Sequence, residues 1–384
     1  MSNLVNNAKI VIFVGIFVRI VCKVPSNLEG NFIVSKMNMM VKAGYFTRLT
    51  VVVMAALFIV GCGGNVATDD EYVRVEGFGI GTTYRIIART DQKRIPEISQ
   101  AASDIFAEMT ASMSIFDSTS LLSRINRGET DSVDCHIKQM IGLARAVNSL
   151  SEGMYDITVA PLTEAYGFAG GKAQQRPNID SILQFVGMEK IRVEESRLIK
   201  DDPRMKLDFN SIAKGYTVDC IASEIERMGI EDYMVEVGGE IVCRGRNPRG
   251  GDWRVAVDSP FDGNMNPGEN CQVIIALTDR ALATSGNYRR YYINEDGRKI
   301  AHTIDPTTGE SAISDLLSAT VIAPTAAEAD ALGTMCMTLG LERAKETISG
   351  IDGVDAYLIS AAPDGSEKEF EVWHTPAMAE MIGE

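Results

Sequence analysis

A chain of 384 residues, 45% of them apolar, can bury one large core or two intimate ones, and 34 Gly with 12 Pro is an ordinary loop allowance. The formal net charge of −15 repels phosphate backbones, and no stripe of Lys and Arg reverses that field locally, so nucleic acid is not expected as a partner. An anionic small molecule can bind only where metal or local cations change the sign of the potential.

Residues 1–36 precede three candidate starts, Met37, Met39 and Met40, and read as an over-extended leader, with residues 10–21 as an alternative first hydrophobic segment. Lys42 and Arg48 then flank the uncharged run 49–60, too short to span a bilayer but suited to the hydrophobic region of a signal peptide. Ile59-Val-Gly-Cys62 resembles the lipobox of bacterial lipoproteins. Residues 37–61 are therefore expected to be a lipoprotein signal peptide, and Cys62 the lipidated N-terminus, where several acyl chains on one residue anchor stably. The alternative is a buried apolar strand with an incidental cysteine. Residues 62–71 would be the tether and 72–384 the folded domain. Apart from Cys22 and Cys62, the chain has Cys135, Cys220, Cys243, Cys271 and Cys336. Their odd number and the absence of a C-x-x-C pair speak against zinc and a disulfide framework, and buried thiols are expected.

Residues 72–87 predict two strands around a turn with Gly77, Gly79 and Gly81. That spacing is not the dinucleotide fingerprint, and no strand-turn-helix unit follows, which disfavours a Rossmann domain. Apolar residues at helical spacing predict helices over 97–113 and 137–150. After a short strand ending at Asp208, the residues Ile212, Ala213, Tyr216, Ile221, Ile225 and Met228 predict a helix, capped by Asn210 or Ser211 and stopped by Gly229. Runs at 234–237, 253–257 and 273–277 alternate with loop residues and predict a largely antiparallel sheet. A strand at 291–293 and a loop at 294–299 lead to His302; strands at 318–322 and 356–360 flank a helix over 325–348, and 369–373 is a last strand.

Asp208 at the mouth of a helix N-terminus and Lys214 in its first turns could hold a phosphate or a nucleotide hydroxyl, or could form only a local ion pair. His302, one of three histidines, can move a proton near neutral pH or serve as a structural residue of the turn made by Asp305, Pro306 and Gly309. Thr284-Ser285-Gly286-Asn287-Tyr288 lacks the nucleophile elbow and reads as a turn lining the pocket. Thr325-Ala-Ala-Glu328 is a capping box, and Asp330 and Thr334 share one helix face, so their oxygens can meet on a hard cation such as Mg²⁺. An Asp beside a Thr can also be surface decoration. The small residues around the pair suggest a helix pressed closely on another surface. Together these groups suit chemistry on a dinucleotide pyrophosphate.

Taken in order, from about Gly77 to Gly340, the segments resemble the ApbE family, the FAD:protein FMN transferases. Ile80-Gly-Thr-Thr-Tyr is similar to the family's opening Met-Gly-Thr turn, with Ile80 in place of Met. The run from Phe116 to Asn126 matches its segment ending in Ser-x-x-Asn, and Tyr155-Asp-Ile-Thr-Val-Ala-Pro-Leu its Asp-x-Thr-Val-x-Pro-Leu signature, with Tyr166 where Trp is common. Leu207–Gly215 and Val237-Gly-Gly-Glu240, then the segments at 283–288, 302–309 and 329–334, complete the series. The resemblance implies an α+β fold of mainly antiparallel sheets with packed helices and an FAD cleft. It implies FAD contacts at Ile80, Phe116, Met154, Tyr155, Asp156, Asp208, Lys214 and Ile304, Mg²⁺ on Ser211, Asp330 and Thr334, and His302 near the transferred phosphate. It further implies transfer of FMN from FAD to a Thr or Ser hydroxyl with release of AMP. The acceptors would be proteins of flavin-dependent electron-transport complexes, reached by an enzyme anchored through lipid and facing the periplasm, at the inner membrane rather than the outer. Hydrolysis of FAD to FMN and AMP, or flavin binding without turnover, are the alternatives.

Overall fold

In the computed structural model, which describes residues 71–383 apart from 170–176, 262–269, 288–290, 296, 298, 313, 363–365 and 367–368, the glycine-rich segment folds as a hairpin. The leader, the signal peptide and Cys62 lie outside the described residues, as does the tether up to residue 70. Strands β1 (Tyr72–Gly79) and β2 (Thr82–Arg89) pair antiparallel. Ile80 and Gly81 make the turn with φ of 43° and 82°. Two positive φ angles give a turn whose twist suits a hairpin, but a β-branched residue there is strained.

Helices α1 (Ile95–Met113) and α3 (Cys135–Leu150) stand where the apolar spacing predicts them, with the short α2 (Leu121–Asn126) between. Helices α4 (Ala160–Ala165) and α5 (Ile179–Leu183) and the hairpin β3 (Ile191–Glu194) with β4 (Arg197–Lys200) follow, and then α6 (Ala213–Arg227). Gly229 ends α6 at φ 76° as expected, but neither Asn210 nor Ser211 caps it. The cap position is Ile212, with no side-chain cap bond, and the Ser211 hydroxyl is engaged instead by that of Tyr155 at 2.9 Å.

The chain continues through β5 (Tyr233–Val237), β6 (Glu240–Arg244), β7 (Trp253–Asp258), β8 (Cys271–Leu277), β9 (Arg280–Gly286), β10 (Tyr291–Ile293), β11 (Lys299–Ala301) and β12 (Leu316–Ala323). Helices α7 (Ala326–Leu339) and α8 (Leu341–Ser349), strands β13 (Asp355–Ala361) and β14 (Phe370–His374), and α9 (Pro376–Ile382) complete it. The helix expected over 325–348 is thus two helices. Gly340, with φ 75° and ψ 173°, leaves helical geometry and serves both as the end of α7 and as the start of α8. The expected turn at 284–288 begins instead as the end of β9, which pairs with β12 up to Gly286 opposite Ser318. Of the five cysteines, Cys243 and Cys336 are buried as expected, whereas Cys135 and Cys271 are exposed. Cys135 opens α3 and Cys271 opens β8, both at element ends facing solvent.

Eight strands form one sheet in the order β1-β2-β5-β6-β9-β12-β13-β14, and every pairing within it is antiparallel. Side chains alternate between its faces. Val235, Val237, Val242 and Ala281 bury against α1 and α6, and Ala319 and Val321 against α7, all on one face. Met234, Ile241, Leu282 and Ile322 bury on the other, under the separate β7–β8 hairpin and α9.

The α6–α7 contact leaves no room for a side chain at Gly215, where a Cβ would sit 2.1 Å from the Ala326 carbonyl oxygen. Gly142 on α3 has nothing within 4 Å of such a Cβ. Gly215→Ala is expected to lower unfolding free energy by about 3 kcal/mol or more through overpacking, and Gly142→Ala to raise it by roughly 0.5–1 kcal/mol through helix propensity. Urea unfolding of the two variants beside the wild type measures both; equal effects would contradict the close crossing.

Candidate active site

Where β5 turns into β6 and β9 ends, the strand ends border a cavity of about 640 Å³. Helix α6 brings Lys214 of its first turn to it, and α7 the face that carries Asp330, Thr334 and Thr338. Asp219, on α6, fixes the approach by accepting the Ala326 and Ala327 N–H groups of α7, each at 2.8 Å. Thr325 accepts the Glu328 N–H at 3.2 Å, so its half of the expected capping box is formed. A turn further on, Asp330 is 3% exposed, and its Oδ2 accepts the Gly215 N–H at 3.1 Å. Thr334 lies on the same side, its hydroxyl 3.5 Å from that of Ser285. Gly333 permits this approach, since a Cβ there would be 2.9 Å from Ser285 Oγ. The small-residue surround therefore does mark close packing.

Lys214 reaches between two carboxylates. Its ammonium makes a close ion pair with Glu240 Oε1 and lies 3.7 Å from Asp330 Oδ1. Burial works against the charge on Lys214, but the Asp330 and Glu240 carboxylates outweigh it and raise its pKa. Glu240 is 2% exposed, and burial pushes its carboxyl up, with Lys214 opposing the rise. Its second oxygen, Oε2, is buried without a hydrogen-bond partner among the described residues. Such an orphaned acceptor suits a site that gains a further donor or cation when filled.

The other wall comes from irregular segments. Tyr155 is wholly buried, which holds its hydroxyl protonated, and that hydroxyl meets Ser211. Asp156 accepts from the Thr158 N–H and hydroxyl and from the Met188 N–H, at 2.7, 2.6 and 2.9 Å, and burial raises its pKa. Asp208 accepts from Asn210 and, at 3.2 Å, from the Thr163 hydroxyl. His302 lies just past β11, its ring edge-on to Phe168 at 6.3 Å. Its loop is held by Thr303 donating to Asn287 at 2.7 Å, and by Asp305, which accepts from the N–H and hydroxyl of Thr307 at 2.7 Å.

The cavity brings together Met154, Tyr155, Asp156, Asp208, Ser211, Lys214, His302, Ile304, Asp330 and Thr334 from segments far apart in the chain. It does not include Ile80 or Phe116. Ile80 sits in the β1–β2 turn against the core beneath α1, and Phe116 is 61% exposed after α1. Sequence reasoning quoted Glu240 within a motif without giving it a role, and it missed Asp219. A carboxylate on an amphipathic helix reads as polar-face decoration unless its partner on another helix is known.

The ApbE family model matches residues 80–358. The chain belongs to the ApbE family. It is 33% identical over 356 residues to the FAD:protein FMN transferase of Escherichia coli (strain K12), covering 88% of this chain and 97% of that protein. It is 32% identical over 335 residues to the protein of the same description from Haemophilus influenzae, covering 82% and 93%. Among solved structures it is similar to the flavin transferase ApbE from Vibrio cholerae, with a TM-score of 0.70 and 31% identity over 81% of this chain and 99% of that one. The Pseudomonas stutzeri flavinyl transferase ApbE, in its apo form, superposes with a TM-score of 0.72 and 27% identity over 82% and 98%. The α+β architecture expected from the resemblance is the one this ApbE-family chain adopts.

In this ApbE-family site the helix crossing carries a pH signature. Burial raises the Asp219 carboxyl to about 6, against the two N–H donors of α7 that favour its charged form. A raised folded pKa contributes stability that is fully present below the ordinary carboxylate range and lost as pH rises through 6. The stability of the wild type relative to Asp219→Asn should therefore fall by roughly 2–3 kcal/mol between pH 4 and 7. Urea unfolding across that range checks it, and a flat difference would show that the helix N-terminus outweighs burial.

Proposed function

We propose that the chain transfers FMN from FAD to a Thr or Ser hydroxyl of an acceptor protein, in a Mg²⁺-dependent reaction that releases AMP. The observation that carries this reading is the convergence of His302, Lys214 and the Asp330–Thr334 pair on one cavity in an ApbE-family chain. Met154, Tyr155, Asp156, Asp208 and Ile304 supply walls for a nucleotide, with Ile80 and Phe116 outside the cavity as further contacts that the resemblance implies.

Asp330, Thr334 and Ser211 offer oxygen donors only, which suits a hard cation. Among the described residues no group of three or more His, Cys, Asp and Glu could hold a metal, so such an ion would complete its shell with water and phosphate oxygens, as Mg²⁺ commonly does. Bound there, Mg²⁺ would offset charge on the two phosphates of FAD. Lys214 keeps its charge beside them. His302 accepts the acceptor hydroxyl's proton as that oxygen bonds to the FMN phosphorus, the pyrophosphate bond breaks, and AMP leaves with the electron pair. The hydrogen bonds that hold the 302–309 loop fix the backbone that carries the imidazole, and such positioning would supply much of the rate.

Transfer of flavin fluorescence to a Thr-containing peptide and release of AMP, measured together at saturating FAD, test the reading. Asp330→Ala should lose most activity, and extra Mg²⁺ should partly restore Thr334→Ala. His302→Ala should slow transfer by about 10²–10⁴-fold while FAD still binds. Near-wild-type transfer by a folded His302→Ala would remove His302 from the chemistry. Equal AMP release with and without peptide, and no labelled peptide, would mean hydrolysis; neither product would mean a flavin-binding protein.

The same reading places the enzyme on a membrane, lipidated at Cys62 and facing the periplasm, the inner membrane being favoured because flavin-dependent electron-transport subunits lie at that surface. The ordered basic flank, apolar run and Gly-Cys pair support it. With labelled fatty acid in a bacterial host, the wild type should take up label and Cys62→Ser should not; uptake by both would end the assignment.

A further inference from the structure

The cavity extends past the strand ends to the other face of the large sheet. Met234, Ile241 and Leu282, which lie beneath the β7–β8 hairpin, border it, yet Asp330 and Thr334, assigned above to metal, lie on α7 against the opposite face. Strand β7 meets the cavity in an unusual way. Successive side chains of a strand point to opposite faces, but Arg254, Val255, Ala256 and Val257 all border the cavity. Val255 and Val257 are buried in the core while Arg254 and Ala256 are exposed. What four consecutive residues share is a backbone edge.

That edge is unpaired. β7 is bonded to β8 on one side only, and among the described residues the backbone of 254–257 has no partner beyond β8. The Ser259 N–H donates to the Asn270 carbonyl at 2.8 Å, and the register shift between Val257 and Asp258 puts its extra residue, Gln272, on β8, so alternation along β7 runs on through it and that bond sets its phase. Counting back by twos, Val257 and Val255 turn their N–H and C=O groups to β8, and Ala256 and Arg254 turn theirs to the cavity.

We propose that the flavin-receiving segment of the acceptor protein binds in extended form along this edge of β7, adding a strand to the hairpin and carrying its hydroxyl toward His302. The inference rests on the transferase reading, which requires a polypeptide hydroxyl to enter this cavity. A polypeptide carries N–H and C=O groups at the two-residue period that the edge presents, whereas a nucleotide offers no such row. The edge and His302 border one continuous cavity, so a segment held there remains next to the chemistry.

The test uses the unaltered full-length enzyme and a peptide of about ten residues spanning the flavinylated Thr or Ser of an acceptor subunit, with each backbone amide N-methylated in turn. Strand addition predicts a loss of transfer efficiency of roughly tenfold at alternate positions, one hydrogen bond each, and little change at the positions between. If the unmodified peptide is flavinylated but the series shows no two-residue alternation, this docking mode is overturned and the transferase reading stands. If the unmodified peptide takes up no flavin, both fall.

Discussion

The site depends on the crossing of α6 over the start of α7. Gly215 brings one backbone against the other, and its N–H, which has no helical partner at that position, is taken by Asp330. Asp219, one turn along α6, takes two of the first N–H groups of α7. A short reach from helix to helix thus satisfies three backbone donors with two carboxylates, and it fixes the azimuth of α7. Once that azimuth is set, i,i+4 spacing places Thr334 beside Asp330, and Gly333 lets Ser285 of β9 approach.

Electrostatics follow from the same crossing. The start of α6 supplies Lys214, and the β5–β6 turn supplies Glu240, so one partly exposed ammonium faces two buried carboxylates. The sum of those three charges is negative, in a chain whose net charge is also negative. An anionic pyrophosphate would be repelled from such a set unless a cation joined it. The orphaned Oε2 of Glu240 is a buried acceptor left open to a further donor or cation.

Much of this was legible in the sequence because it is local. The capping box before Asp330, the turn around Asp305 and Gly309, and the first hairpin each depend on residues within a few positions of one another. The break at Gly340 was missed because apolar spacing continues through it, and only the backbone angles show that the helix restarts. The cap of α6 was misassigned for the opposite reason. Asn210 and Ser211 are good capping residues, but the Ser211 hydroxyl is drawn to Tyr155, distant in sequence. Long-range partners such as Asp219 with α7 leave no periodic trace at all.

The geometry of the large sheet explains how two large substrates could share one small site. A cavity on the face of a sheet is open from one side, whereas a cavity at the strand ends can be reached from both. Gly238 and Gly239, with φ of 62° and 101°, let β5 and β6 turn tightly there, and a Cβ at Gly238 would meet Thr82 at 2.9 Å. Beyond that turn Glu240 points to the helix side, where Lys214 meets it, and Ile241 to the hairpin side. β9 divides its residues the same way, with Ser285 toward Thr334 and Leu282 under the hairpin. On the proposed reading a nucleotide beside Lys214, Asp330 and Thr334 and a polypeptide on the edge of β7 would approach from opposite faces. They would meet only at the strand ends, where a reacting phosphate and a hydroxyl need to be neighbours and the rest of each substrate does not.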